Sequence, residues 1–126
     1  MGLVYSKITL RNPVHPDLAP MEVNCLVDTG STFLVLPHHI ATQLKLQVLQ
    51  EKEATIADGT SRMVPYGGPV RVTFENRECF VGALIMGDEV LLGAVPMEDM
   101  DLVILPKLRQ LAVNPENPNF ARGHAK

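Results

Sequence analysis

The chain has 126 residues, a formal net charge of −3 and a hydrophobic fraction of 46%, which indicates one domain with a single core. Its charges are scattered without a basic stripe and its aromatic content is only 5%, so the composition gives no sign of a nucleic-acid partner. No apolar run approaches the roughly 20 residues of a membrane helix, and the N-terminus has no signal-peptide pattern, so we expect a cytoplasmic protein without a membrane partner.

The first part of the chain predicts three strands and a short helix. Residues 4–10 and 22–27 predict two strands that pair antiparallel as a wide hairpin across a proline-rich loop. Residues 33–36 predict a short apolar strand, which Pro37 ends. The apolar pattern over residues 40–46 then predicts a brief helix and its exit.

The middle of the chain predicts a long hairpin followed by another strand. Residues 48–57 and 61–66 predict the two arms of the hairpin, and residues 58–60 predict its tip. Gly67-Gly68-Pro69 predicts a break in the strand. Beyond it, residues 70–74 alternate between apolar and polar side chains, as a half-buried strand does.

The last part of the chain completes a mostly β pattern. Residues 78–86 and 90–92 predict strands separated by a turn at residues 87–89. Residues 94–100 predict a short helix, and residues 102–105 predict one more strand. Short strands at this close spacing indicate an all-β fold, a small closed Greek-key-like barrel with one or two short helices.

The cysteines and histidines do not predict a metal or redox site. Cys25 and Cys79 lie far apart in apolar runs, without Cys-x-x-Cys spacing, and this predicts buried free thiols. The four histidines form no group with carboxylates or cysteines at metal-ligand spacing. We therefore expect the protein to need no metal and no other cofactor.

One motif places a carboxylate at the end of an apolar strand. Leu26 and Val27 have strand character and run straight into Asp28-Thr29-Gly30, where glycine permits a turn that a residue with a Cβ would resist. The carboxylate of Asp28 is thus expected to be held on rigid backbone. The same residues are also compatible with a simple Asx-turn that has no catalytic role.

Two motifs in this order resemble the retropepsin-like aspartic peptidases. That family carries Asp-Thr/Ser-Gly early and a hydrophobic-hydrophobic-Gly element late, and Asp28-Thr29-Gly30 and Leu91-Leu92-Gly93 fill these two places. The resemblance covers residues 4–114, and residues 111–119 look like the ending of the small bacterial single-lobe members. It implies a closed acid-protease barrel that pairs with a second copy as a twofold dimer.

The resemblance implies roles for the residues of the first motif. Asp28 would be the catalytic residue, and Thr29, Gly30 and Ser31 would complete the active-site loop. The counterpart of Thr29 in the family hydrogen-bonds across the dimer beneath the two carboxylates. A local bond of the Thr29 hydroxyl within its own turn is the alternative.

Two further segments would support this loop. Asp58, Gly59 and Thr60 fall where the family has a flap hairpin that closes over the substrate, although Asp-Gly is also an ordinary hairpin turn in any β protein. Leu91 and Leu92 would be core or pocket-wall residues. Gly93 would let neighbouring backbone approach the active turn.

A working site of this kind needs two chains. The chemistry uses one carboxylate as a general base toward water and one carboxylic acid toward the substrate carbonyl, whereas Asp-Thr-Gly occurs once in the chain. A twofold axis would bring together two copies of Asp28. The sequence therefore predicts a homodimeric aspartic endopeptidase acting on a peptide or protein. The alternatives are a dimerisation or peptide-binding module with little or no proteolytic activity, and a monomer that is inactive until it assembles with another protein.

The chain also departs from the viral members of the family. They usually place Arg after the late glycine and an acidic residue soon after the catalytic turn, whereas Ala94 and Thr32 stand there in this chain. Other contacts would therefore have to stabilise the dimer, and a strand near residues 111–113 could form part of the interface. We expect the domain to comprise residues 1–114, followed by a poorly ordered tail at residues 115–126.

Overall fold

The computed structural model describes residues 2–125. Nine strands and two short helices lie within these residues, and most were predicted to within one or two positions. In chain order they are β1 (Tyr5–Arg11), β2 (Met21–Val27), β3 (Leu34–Leu36), α1 (His38–Gln43), β4 (Gln47–Thr55), β5 (Ser61–Phe74), β6 (Arg77–Ile85), β7 (Val90–Leu92), α2 (Ala94–Asp99), β8 (Leu102–Leu105) and β9 (Gln110–Val113).

Six of the strands close into a barrel. Their order is β1-β2-β7-β3-β6-β5, and antiparallel pairing of β5 with β1 closes the ring, with Leu10 opposite Val72. Strand β4 is added outside β5 as the second arm of a long hairpin, and β8 pairs with β9 in a separate two-stranded sheet. The prediction of a small closed all-β barrel with one or two short helices is confirmed.

The order of the short strands brings the two sequence motifs together. Strand β7 lies between β2 and β3 and runs parallel to β2, with Leu92 opposite Val27. On its other side β7 runs antiparallel to β3, with Leu91 opposite Val35. The end of β2, which leads to Asp28, is therefore beside the end of β7, which leads to Gly93.

The barrel encloses the main core, and a smaller core lies under the long hairpin. Large side chains fill the barrel, and those with almost no exposed surface include Leu10, Leu34 and Leu92. The smaller core is centred on Val35, Val64 and Leu84. Burial of these apolar side chains is the main source of stability in a domain of this size. The smaller core also packs the hairpin against β3 and β6.

The predicted break at Gly67-Gly68-Pro69 is wrong, because β5 continues through it. The strand absorbs the irregularity as a shift in its register against β6 between Gly67 and Val70. A Cβ at Gly67 would lie 2.7 Å from the carbonyl oxygen of Gln47, so glycine here allows β4 to approach closely. The two glycines thus permit tight strand packing and do not end the strand.

The predicted free thiols are confirmed, since Cys25 and Cys79 are both buried and unpaired. Burial raises the pKa of Cys25 to about 11 and is the main reason that the pKa of Cys79 rises to about 12. Both groups are protonated thiols near neutral pH. No helix within residues 2–125 has the length and apolar character needed to cross a membrane.

The segment after β9 is held against the barrel by Arg77. This side chain is only 3% exposed, and it donates hydrogen bonds to the carbonyl oxygens of Met100 and Asn117. Asn76 donates to the carbonyl oxygen of Pro118. The domain boundary at residue 114 and the order of the tail in solution stay predictions.

Candidate active site

Asp28 stands directly after β2 and is fixed by three hydrogen bonds, one to β7 and two within its own loop. Its backbone N–H donates to the carbonyl oxygen of Leu92 at 3.0 Å, and the N–H of Ser31 donates to its carbonyl oxygen at 3.0 Å. The N–H of Gly30 donates to its carboxylate Oδ1 at 3.0 Å. The half-buried carboxylate is therefore held by the backbone N–H of Gly30, and the backbone of Asp28 is held by Leu92 and Ser31.

Gly93 packs against the same loop. A Cβ at this position would lie 2.6 Å from the carbonyl oxygen of Ser31 and would also overlap the carbonyl oxygen of Phe33. The next two backbone N–H groups, of Ala94 and Val95, donate to the carbonyl oxygens of Ser31 and Thr32 at 2.8 and 2.9 Å. A residue without a Cβ is thus required where β7 leads into α2, because the loop 28–33 lies in direct contact with it.

A cleft of about 660 Å³ opens beside Asp28. One side is formed by Asp28, Gly30 and Ser31, and another by residues 54–58 at the end of the long hairpin. Residues 86–89, in the turn between β6 and β7, contribute to the same cleft. Its volume lies within the range of small-ligand and peptide-side-chain pockets.

The tip of the long hairpin is a tight turn organised by Asp58. Gly59 has φ 87°, a left-handed conformation that favours glycine. The carboxylate Oδ1 of Asp58 accepts hydrogen bonds from the hydroxyl and the backbone N–H of Thr60, at 2.6 and 2.9 Å. These bonds, with the hydroxyl of Thr60 as the largest cause, lower the pKa of Asp58 below its usual range. The tip therefore carries an ionised carboxylate near neutral pH.

The predicted site residues fall into two groups in the structure. Those that line the cleft are Asp28, Gly30, Ser31, Asp58 and Leu91. Those that lie outside its lining are Thr29, Gly59, Thr60, Leu92 and Gly93. The catalytic, flap and support roles of both groups stay predictions.

Thr29 is exposed in the loop 28–31. No hydrogen bond of its hydroxyl is found within residues 2–125, although its neighbours in the loop are well bonded. The alternative of a local bond inside the turn is thus not observed.

An aromatic contact that the sequence did not predict joins the hairpin to the loop. Phe33 and Tyr66 meet edge to face with ring centroids 5.7 Å apart. The Nζ of Lys52 lies 4.7 Å from the Tyr66 centroid and 5.4 Å from that of Phe33, in cation–π geometry. Because Phe33 follows the active-site loop and the other two residues belong to the hairpin, this contact fixes one relative to the other.

Asp88 and Glu89 are also cleft residues, although the sequence predicted them only as part of a turn. Both side chains are exposed at the β6–β7 turn and line the cleft with Asp28. Gly87, with φ 73°, provides the turn. The Gly-Asp-Glu signal indicates a turn, whereas the direction that the turn faces depends on the closure of the barrel.

The tail of the chain forms a second cavity. This cavity, of about 420 Å³, is lined by residues 116–123 and contains none of the predicted site residues. Within residues 2–125, no three His, Cys, Asp or Glu side chains are grouped so that they could hold a metal ion.

Comparison with known proteins identifies the fold. No family model matches the chain, and no curated protein matches it by sequence. Among solved structures, the chain is similar to the EIAV protease, a retroviral enzyme, in complex with the inhibitor HBY-793. The similarity has a TM-score of 0.63 at 18% sequence identity and covers 78% of this chain and 88% of the protease. The fold is therefore retropepsin-like.

Proposed function

We propose that this protein is an aspartic endopeptidase that hydrolyses peptide bonds as a homodimer. The observation that carries the proposal is the position of Asp28, fixed directly after β2 and lining a cleft in a retropepsin-like fold. A carboxylate on rigid backbone beside a cleft for substrate is what general acid–base catalysis requires.

The proposed reaction uses one Asp28 from each protomer. One carboxylate takes a proton from a water molecule, which attacks the carbonyl carbon of the scissile peptide bond. The other, protonated carboxyl hydrogen-bonds the carbonyl oxygen, and a proton then passes to the departing nitrogen. Two neighbouring carboxylates cannot both ionise, so they share one proton before the attack. No covalent intermediate and no cofactor is involved.

The need for a second chain is supported by the composition of the loop. Asp28 is the one carboxylate of the active-site loop 28–31, and a second copy related by a twofold axis would supply its partner. The exposed Thr29 hydroxyl, which lacks a bond within residues 2–125, is suited to a contact across that axis. We further propose a cytoplasmic location, a peptide or protein substrate, and kinship with the small bacterial single-lobe members of this fold.

A peptide-binding module is the second candidate function. It is favoured by the bond from the Gly30 N–H to the Asp28 carboxylate, which forms an ordinary Asx-turn that needs no catalytic explanation. This alternative requires the cleft but not the ionisable group.

Asp28→Asn separates the two functions, because it keeps the shape of the side chain and removes its acid–base chemistry. We expect cleavage of an unfolded protein substrate to fall by at least about 10²–10⁴-fold, while binding of a peptide persists. The matched control is Asp17→Asn, which changes an exposed carboxylate in the loop between β1 and β2. Undiminished cleavage by Asp28→Asn would refute the catalytic assignment, and an inactive wild type that binds peptides would favour the module.

A further inference from the structure

The cleft beside Asp28 combines an apolar lining with acidic edges. Its apolar lining residues come from the hairpin, from β3 and from the strands of the smaller core. They are Val35, Ala54, Ile56, Ala57, Leu84, Met86 and Leu91. Such a surface accommodates an apolar side chain, and its burial would provide most of the binding free energy.

The charged lining residues all carry the same sign. They are Asp28, Asp58, Asp88 and Glu89, whereas no Lys, Arg or His of the described chain lines the cleft. Asp58 belongs to the hairpin tip, and Asp88 and Glu89 belong to the β6–β7 turn, so carboxylates approach the cleft from two separate loops.

These carboxylates are not neutralised by ion pairs in the described part of the chain. The salt bridges found within residues 2–125 join Lys7 to Glu22 and Arg71 to Glu78, away from the cleft. Arg62 lies close enough to act weakly on Asp58, as the smallest of the influences that lower its pKa. The Nζ of Lys52 lies over the rings of Phe33 and Tyr66.

We infer that the cleft selects peptide segments in which Lys or Arg flanks an apolar residue. The inference rests on the proposed function, because it names the substrate class of the same cleft. The apolar residue would contact the lining, and the flanking cations would face Asp58 on one loop and Asp88 and Glu89 on the other. Like-signed charges along a concave surface focus the local potential and attract ligands of opposite charge.

The charges of the cleft should determine which peptide is preferred more than how tightly the preferred peptide binds. An exposed ion pair changes an equilibrium constant by about twofold to fivefold, and an acidic residue in place of the cation adds repulsion. Charge complementarity of this kind also excludes the wrong partners, here segments with Asp or Glu next to the apolar residue. The preference should weaken with added salt, because exposed charges are screened over about 10 Å at 0.1 M ionic strength.

Binding to the Asp28→Asn protein tests the inference without requiring cleavage. Three fluorescein-labelled peptides share an apolar Leu-Phe-Leu centre, and they differ in carrying two Lys, two Gln or two Glu residues as flanks. Their binding is measured by fluorescence anisotropy at low and at high salt. We expect the Lys peptide to bind at least about fivefold more tightly than the Glu peptide at low salt, with the Gln peptide between them.

A pair of double variants assigns the preference to the cleft. Asp88→Asn with Glu89→Gln removes the two carboxylates of the β6–β7 turn and should reduce the ratio of Lys-peptide to Glu-peptide affinity by about threefold or more. The control is Asp17→Asn with Glu98→Gln, which makes the same chemical changes at exposed positions outside the cleft lining and should leave that ratio unchanged.

The outcomes distinguish this inference from the proposed function. Equal binding of the Lys and Glu peptides, or an equal effect of the two double variants, would overturn the charge preference even if the wild type cleaves peptides. A clear Lys preference that depends on Asp88 and Glu89, together with a wild type that cleaves none of the peptides, would support the inference and count against the peptidase.

Discussion

The backbone N–H of Asp28 donates a hydrogen bond to the carbonyl oxygen of Leu92, with 3.0 Å between nitrogen and oxygen. This bond extends the parallel pairing of β2 and β7 by one residue and joins two motifs that are far apart in the sequence. Because Gly93 follows Leu92 and packs on Ser31 and Phe33, the position of the Asp28 carboxylate depends on the end of β7. A substitution at the end of β7 should therefore alter the active-site loop.

Gly93→Ala should displace the active-site loop. Its Cβ would lie 2.6 Å from the carbonyl oxygen of Ser31, and the backbone that it meets cannot move aside as a flexible side chain can. We expect a loss of about 1–3 kcal/mol in the free energy of unfolding, measured by chemical denaturation. Gly123→Ala is the control, because nothing lies within 4 Å of a Cβ built there. Equal stability of the two variants would show that the loop has room to relax.

Activity per protomer should fall on dilution, because a monomer would carry half of the proposed site. Thr29→Val should shift this fall to higher protein concentration, since it keeps the shape of the exposed side chain and removes its hydroxyl. Loss of one hydrogen bond per protomer corresponds to about 1–3 kcal/mol in the free energy of dimer dissociation. Sedimentation equilibrium measures the change, and Thr29→Ser, which keeps the hydroxyl, is the control. A monomer with constant specific activity would contradict the proposed dimer.

The pH–activity profile should be a bell, because the proposed working form has one shared proton on two carboxylates. Asp58 should affect the alkaline limb of this profile, where activity falls as the shared proton is lost. Its lowered pKa keeps it ionised near neutral pH, and a negative charge in the same cleft favours retention of the shared proton. Asp58→Asn should therefore move the alkaline limb to lower pH. Initial rates of the wild type and of Asp58→Asn, measured across the pH range, give the shift of the alkaline limb. A flat profile would count against a pair of carboxylates.

Asp101 should anchor the segment after β9 in its ionised form. The Asn114 side chain, the backbone N–H of Arg122 and the Asn117 side chain donate to its carboxylate, and they lower its pKa below its usual range. A carboxylate whose pKa is lower in the folded state stabilises the fold above its unfolded-state pKa. This contribution is lost as the pH falls through the lowered folded-state pKa.

Asp101→Asn tests this anchor at a residue with φ 54°, a conformation that asparagine tolerates as well as aspartate does. Faster hydrogen exchange over residues 114–122 and a lower melting temperature are expected near pH 7. The difference from wild type should shrink as the pH falls through the lowered folded-state pKa, because the wild-type carboxyl then becomes protonated. Asp17→Asn is the control. An unchanged exchange pattern near pH 7 would show that Arg77 and Asn76 hold the segment without Asp101.

Local patterns in the sequence were sufficient for most of the secondary structure. Alternating and continuous apolar runs mark strands, and glycine and proline mark their ends, because these signals depend on the side chain and its neighbours in the chain. The exception was β5, where Gly67 packs closely on β4 and Gly68 packs closely on β6, and this depends on neighbouring strands of the sheet. The motifs Asp28-Thr29-Gly30 and Leu91-Leu92-Gly93 were also recognisable in the sequence, since each consists of only a few adjacent residues.

The sequence by itself determined the class of fold, the one Asp-Thr-Gly turn and the burial of both thiols. Only the tertiary structure decided that β7 lies between β2 and β3, that Arg77 is buried under the tail, and that Asp88 and Glu89 share a cleft with Asp28. The physical reason is that these relationships join residues far apart in the chain. They arise when the barrel closes to bury its apolar faces, and closure depends on all the strands together.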